Sequence, residues 1–220
     1  TAPNSNGWNN SNVAVQWNCA DALSGATIST VTTVVSTEAA NQSALGICTD
    51  NAGNTASDTQ TGIKIDKTAP TLAPEVSPNP VLLNDSANAS PNASDALSGV
   101  ASASCDAPTT STVGSKTVAC AAADLAGNTA NANANYRVIY NFAGFFQPVE
   151  NLPTVNVVTA GQGVPLKFSL SGNQGLGVFA PGYPASSAIA CSASEPGSTI
   201  EETVNAGGSS LTYNATTDQY

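Results

Sequence analysis

The sequence predicts an all-β chain of small sandwiches arranged as beads on a string. Three observations carry that expectation. A block of sequence recurs at a fixed offset, apolar residues alternate with polar ones at the period of a strand, and turn-forming Gly, Asn, Asp and Ser recur every 8 to 15 residues. No segment shows the stripe of an amphipathic helix.

The repeat comes first. Asp21-Ala22-Leu23-Ser24-Gly25 returns letter for letter as Asp95-Ala96-Leu97-Ser98-Gly99, 74 residues on. Ala52-Gly53-Asn54-Thr55-Ala56 returns as Ala126-Gly127-Asn128-Thr129-Ala130 at the same offset. Two identities at one spacing fix the register across the middle of the unit. Thr1-Ala2-Pro3 matches Thr68-Ala69-Pro70 at an offset of 67, which places a length difference in the leading segment and suggests a chain taken from a longer array. Three units follow: residues 1–66, 67–140 and 141–220.

Strand periodicity lies inside each repeat. Val13, Val15, Trp17 and Cys19 alternate with Ala14, Gln16 and Asn18, and Val118, Cys120 and Ala122 do the same in the second repeat. Each set puts one apolar row on one sheet face. Trp17 is thereby aimed at a core, and Trp8 is expected to anchor a leading strand, with exposure as the alternative.

Composition narrows the function. Of 220 residues 41% are hydrophobic and 9% charged, with a net charge of -10 and 5 Lys+Arg. That is too apolar for a disordered chain. It is too poor in cations for nucleic acid or an anionic membrane surface. No run of about 18 apolar residues is present to insert in a bilayer. The absence of histidine rules out Ser-His and Cys-His dyads. The adjacent Glu201 and Glu202 would point to opposite faces of a strand, so no enzyme is expected. Lys64, Lys116 and Lys167 carry no motif for an isopeptide bond, and Lys167 reads as a strand lysine facing water.

Asp-Ala-Leu-Ser-Gly, the Asp-x-Ala-Gly-Asn loop and Asp66-Lys67-Thr68-Ala69-Pro70-Thr71 together resemble the bacterial immunoglobulin-like repeats of large surface adhesins and secreted proteins, over residues 1–140. Asn141-Phe142-Ala143-Gly144-Phe145-Phe146-Gln147-Pro148-Val149, followed by Val164-Pro165-Leu166-Lys167-Phe168-Ser169-Leu170, resembles the PxKF domain at the ends of bacterial extracellular proteins. That domain normally runs on for several more strands, so the third unit is expected to be incomplete. The resemblance implies tandem immunoglobulin-like β-sandwiches and a secreted or cell-surface location.

Five cysteines without histidine or a C-x-x-C pair argue for disulfides rather than zinc or redox chemistry. The repeat register selects the pairing. Cys19 aligns with Ala93 and Cys48 with Ala122, while Cys105 aligns with Val31 and Cys120 with Gly46. Partners vanish together, which predicts Cys19–Cys48 and Cys105–Cys120, with four reduced core thiols as the alternative. Loops of 29 and 15 residues would each contribute about 3 kcal/mol by restricting the unfolded chain. Cys191 is left over, and the resemblance places its partner beyond the end of this chain.

The carboxylates of the repeat motifs are the candidate ligands. In an immunoglobulin-like sandwich the chain arrives at the pole that carries both motif loops. In the second repeat this brings Asp66 of the linker near Asp95, Asp124 and Asn128; in the first the counterparts are Asp21, Asp50 and Asn54, with the matching linker aspartate expected to precede the start of this chain. Hard oxygen donors from three segments suit Ca2+, and the resembled adhesins bind calcium at such junctions. The plainer alternative is a pair of Asx-turns, with Gly53 and Gly127 supplying positive φ.

Three roles fit a non-catalytic β chain of this kind: a structural spacer or adhesive stalk, an accessory binding module of a secreted hydrolase, or a subunit of an extracellular fibre built by strand exchange. The expected partners are further domains of the same polypeptide and, for a fibre, other copies of the chain. With Trp17 in a core, the aromatic platform of a sugar-binding module is lacking, which favours the stalk.

Overall fold

The computed structural model describes residues 2–154, 156–159, 162–183 and 210–220. Among these residues there is no helix, and so none long and apolar enough to cross a membrane. The fold is all-β, as the alternation predicts. The chain divides into two compact units, Thr1–Ile139 and Tyr140–Tyr220.

The first repeat contains β1 (Val13–Asn18), β2 (Thr30–Val35), β3 (Ala39–Thr49) and β4 (Thr55–Ile65). β1 pairs antiparallel with β2, and β3 with β4. On β1 the inward row is the predicted one. Val13 and Cys19 are buried, Val15 and Trp17 are half-buried, and Ala14, Gln16 and Asn18 face outward. Val13 packs with Val35, Ala44, Ile63 and Ile65, and Val15 and Trp17 lie against this cluster. Trp17 lies flat on Gly46 of β3, where an added Cβ would sit 2.3 Å from the indole. Its Nε1–H donates to Asp58 Oδ2 of β4 at 3.1 Å. Trp8 is buried beneath Lys64, whose Nζ lies 5.8 Å from the ring centroid, so it is not the exposed tryptophan of the alternative, although it precedes the first strand and lies outside the core cluster.

The second repeat has more strands: β5 (Thr71–Leu72), β6 (Glu75–Ser77), β7 (Val81–Leu82), β8 (Asn88–Ser90), β9 (Ala93–Ser94), β10 (Val100–Cys105), β11 (Gly114–Asp124) and β12 (Thr129–Ile139). β10, β11, β12 and β7 form a four-stranded sheet, with β7 parallel to β12. β5 pairs with β9, and β6 with β8. Val118, Cys120 and Ala122 all point inward, as their alternation requires. The core is Val76, Val81, Val118, Ala134, Tyr136 and Val138. Tyr136 keeps its hydroxyl satisfied at Thr109, accepting from the amide at 2.8 Å and donating to the carbonyl at 2.9 Å. The two clusters share no residue, although both belong to the first compact unit.

Both predicted disulfides are present. Cys19–Cys48 ties the end of β1 to the end of β3, with Cα atoms 5.6 Å apart. Cys105–Cys120 joins residues directly opposite one another on β10 and β11. Cys191, Glu201 and Glu202 lie outside the described residues.

In the second unit β13 (Phe145–Phe146) pairs antiparallel with β14 (Lys167–Phe168). Tyr220 bonds the other edge of Phe168 through both backbone groups. Phe168, Leu170 and Tyr220 form the core, with the Phe168 and Tyr220 rings stacked 5.3 Å apart. Lys167 faces outward. Asp218 clasps two segments that are distant in sequence, accepting from Ser169 Oγ at 2.7 Å, Gly172 N at 2.9 Å and Tyr213 Oη at 2.8 Å.

Candidate metal centre

The centre is assembled from two loops and a linker, and each loop is built by its own side chains. Asp124 closes β11. Its Oδ1 accepts from Asn128 N at 2.8 Å and its Oδ2 from Asn128 Nδ2 at 2.7 Å, which folds Asp124-Leu125-Ala126-Gly127-Asn128 into an Asx-type turn. Gly127, at φ 93°, provides the left-handed residue that the turn needs. In the second loop Asp95 Oδ1 accepts from Leu97 N at 3.2 Å and Gly99 N at 2.6 Å. The loops are joined where Leu125 N donates to Gly99 O at 2.9 Å.

Asp66 is brought in by the end of β4. Its own N–H donates to Asn9 O at 2.9 Å, continuing the ladder that β4 starts with the leading segment. Its side chain then reaches over to the second repeat. Oδ2 accepts from Ser98 N at 2.9 Å, and Oδ1 from Thr68 N at 3.1 Å. Asn128 Nδ2 holds the linker from the other side, donating to Asp66 O at 2.9 Å and Thr68 O at 3.2 Å.

Carboxylate oxygens of Asp66, Asp95 and Asp124 consequently lie within 4.8 Å of one another. Asp66 is 0% exposed and Asp124 2%. Burying like charges together costs several kcal/mol per ion unless a cation offsets it. The hydrogen-bond partners of these three side chains are amides and a hydroxyl, not cations. The adjacent Lys67 turns its Nζ away, to Asn12 Oδ1 at 3.2 Å and Ser36 O at 2.7 Å. Three oxygens within 4.8 Å fit around one ion whose metal–oxygen bonds are about 2.3–2.6 Å long. The triad is therefore able to hold a metal ion. Asn128 presents its amide nitrogen to this cluster, a position suited to orienting Asp124 and the linker.

The first repeat has the same loops and a different outcome. Asp21 Oδ1 accepts from Leu23 N, Ser24 N and Gly25 N at 3.0, 2.6 and 3.0 Å. These bonds, led by that from Ser24, hold its carboxyl below the usual aspartate range. Asp50 accepts from Asn54 Nδ2 at 2.8 Å and Asn54 N at 2.8 Å. The Asn54 side chain is the largest cause of its lowered value, with the Asn54 amide next and partial burial opposing them. Asn51 N donates to Gly25 O at 2.9 Å, repeating the join between Leu125 and Gly99. Among the described residues no third carboxylate joins Asp21 and Asp50. In this chain amides of their own loops hold both aspartates in Asx-turns.

Several residues at the junction carry no motif and were not anticipated. Glu38, between β2 and β3, accepts from Lys67 N and from Thr68 Oγ1, fixing the linker to the first repeat. Asn4 and Asn6 donate their side-chain amides to Leu125 O at 2.9 and 3.1 Å. The Asn-rich composition around residues 4–12 marks a loop, but not which surface that loop will meet. No family model matches the chain, and no curated protein is similar enough to match it either.

Proposed function

We propose that this chain is a non-catalytic structural spacer, or adhesive stalk, of a secreted or cell-surface bacterial protein. In this reading residues 1–66 and 67–140 are immunoglobulin-like beads, residues 141–220 are a PxKF-like domain, and Ca2+ braces the junction between the first two beads. The observation that supports it is the buried Asp66 carboxylate, carried at the end of β4 of the first repeat to two aspartate loops of the second. An all-oxygen set drawn from three segments suits Ca2+ better than Zn2+, which favours nitrogen and sulfur ligands. The two disulfides are compatible with an oxidising compartment. A stalk transmits distance, so its joints must resist bending. A cation shared by the linker and the next bead supplies that resistance.

The test is calorimetry and small-angle scattering of the chain with added Ca2+ and with EDTA. Chelation is expected to lower the thermal midpoint and to broaden the distribution of interbead distances, and Asp66→Ala should reproduce both in the presence of Ca2+. Identical midpoints and scattering curves in Ca2+ and EDTA would overturn the braced-junction reading.

A further inference from the structure

Asn6-Gly7 is the one Asn-Gly dipeptide in the chain, and it lies at the junction. Residues 4–8 close into a small loop around Asn4. Asn4 N donates to Trp8 O at 2.8 Å and Gly7 N to Asn4 O at 2.9 Å, while Asn4 Oδ1 accepts from Asn6 N at 3.0 Å and Trp8 N at 3.1 Å. The loop projects the amides of Asn4 and Asn6 onto Leu125 O, the carbonyl next to Asp124. This is a clasp between the first repeat and the loop of the second. It is formed by the protein alone and is independent of any metal.

We propose that Asn6 is a spontaneous deamidation site whose conversion releases this clasp. The backbone nitrogen of Gly7 attacks Cγ of Asn6. The new N–Cγ bond forms as the Cγ–Nδ2 bond breaks, and ammonia leaves with the proton that Gly7 N gives up. Water then opens the cyclic imide at one of its two carbonyls, leaving an aspartyl or isoaspartyl residue at position 6. Glycine suits the step because it has no side chain to obstruct ring closure, and the space beside its Cα is open. Asn6 itself is exposed to the water that completes the reaction.

The same geometry sets the rate. Gly7 N is tied to Asn4 O, and the departing Nδ2 is tied to Leu125 O, so both bonds must open before the imide can close. Conversion is therefore slow while the clasp is shut and accelerates when it loosens. The product cannot return to the starting contact. A carboxylate at position 6 has no donor for Leu125 O and repels it, and it adds negative charge beside a pole that already carries Asp66, Asp95 and Asp124. The dipeptide thus acts as an irreversible timer on the rigidity of the joint.

The experiment holds the chain at mildly alkaline pH in Ca2+, with peptide mapping of residues 4–10 and amide hydrogen exchange of residues 124–128 at intervals. Position 6 is expected to convert ahead of the other asparagines, with exchange at residues 124–128 rising in step. Asn4→Ala, which removes the three hydrogen bonds of the loop's hub side chain, should speed conversion at least about fivefold, the effect of losing even one neutral hydrogen bond. Asn6→Asp should show the raised exchange from the outset, and Asn6→Gln, whose longer side chain closes the ring far more slowly, should not drift with time. Retention of the amide at position 6 while other asparagines convert would overturn the proposal. So would unchanged exchange at residues 124–128 in Asn6→Asp, an outcome that leaves the metal reading untouched.

Discussion

The two repeats carry the same pair of loops, and in this chain only the second pair has another repeat packed before it. In the first repeat Ser24 N turns back onto Asp21, whereas in the second the equivalent Ser98 N donates to Asp66. Leu23 is 98% exposed and its counterpart Leu97 36%. The loop sequences therefore encode two Asx scaffolds that form with or without a neighbour, because each aspartate is satisfied by amides within five residues of it. What makes one of them a candidate metal centre is the third carboxylate, delivered by β4 of the other repeat. One period on from Asp66 the chain has Tyr140, so the sequence does not repeat the arrangement after the second repeat.

A second difference lies in the cores. Trp17 covers Gly46 in the first repeat and pairs across the strand with Val31. In the second repeat the positions of Val31 and Gly46 are Cys105 and Cys120, bonded to each other, and that of Trp17 is Pro91. One repeat fills this position with an indole and the other with a disulfide. Glycine at position 46 is then a steric requirement of Trp17. The largest effect is expected from breaking that fit. Trp17→Ala should cost about 3–5 kcal/mol by leaving a cavity. Gly46→Ala should cost about 1–3 kcal/mol, because its methyl must displace the ring or the strand. The double variant should lose less than the two together, since without the indole the new methyl has room. Additive losses in a thermal or urea denaturation cycle would show that Trp17 and Gly46 do not constrain one another.

A smaller effect sharpens the comparison of the poles. In Ca2+ at a hundredfold excess over Kd, a single site adds about 2.7 kcal/mol to the folded state. Asp124→Asn is expected to abolish the difference in thermal midpoint between Ca2+ and EDTA. The equivalent substitution in the first repeat, Asp50→Asn, should retain it, because Asp50 has no carboxylate brought to it. Equal losses in the two variants would mean that the loops bind cations without the linker.

Much of this was legible because it is local or periodic. The alternation of Val13, Val15, Trp17 and Cys19 fixes which face is inward whatever the partner strand is. The disulfides followed from cysteines that appear and disappear in pairs between aligned repeats. The convergence of Asp66, Asp95 and Asp124 was an implication of the resemblance to immunoglobulin-like repeats, which brings the incoming linker to the pole that carries both motif loops of the second repeat. The contacts that escaped the sequence are those between segments with no shared pattern. Glu38 meets Lys67 and Thr68 across 29 residues or more, and Asn4 meets Leu125 across 121. A polar side chain in a loop has many surfaces available to it, and nothing in its neighbours selects one. For the same reason Ser98 was hidden: its contribution is a backbone N–H, which every residue but proline possesses.

The smallest expected effect concerns acid. Asp21 and Asp50 both titrate below the ordinary aspartate value of 3.8, Asp21 chiefly through the amide of Ser24 and Asp50 chiefly through the side chain of Asn54. An aspartate whose folded value lies below its unfolded one adds stability that is complete above the unfolded value. That stability is lost as the pH falls through the folded value. The contribution of these two side chains to the first repeat should therefore decline progressively as the pH approaches 3.8 and falls on through their lower folded values. Asp21 is exposed and Asp50 only half-buried, so the loss is modest and shrinks with salt. Carboxyl NMR titration checks the sign directly. Asn54→Ala should move the Asp50 midpoint up towards 3.8 while leaving that of Asp21 where it was, because the donors of Asp21 lie in its own loop. Midpoints at or above the ordinary value in the unmodified protein would mean that these amides do not hold the carboxylates in solution. The uncovered pole would then be a flexible loop pair, and the likeness between the two repeats would stop at their sequence.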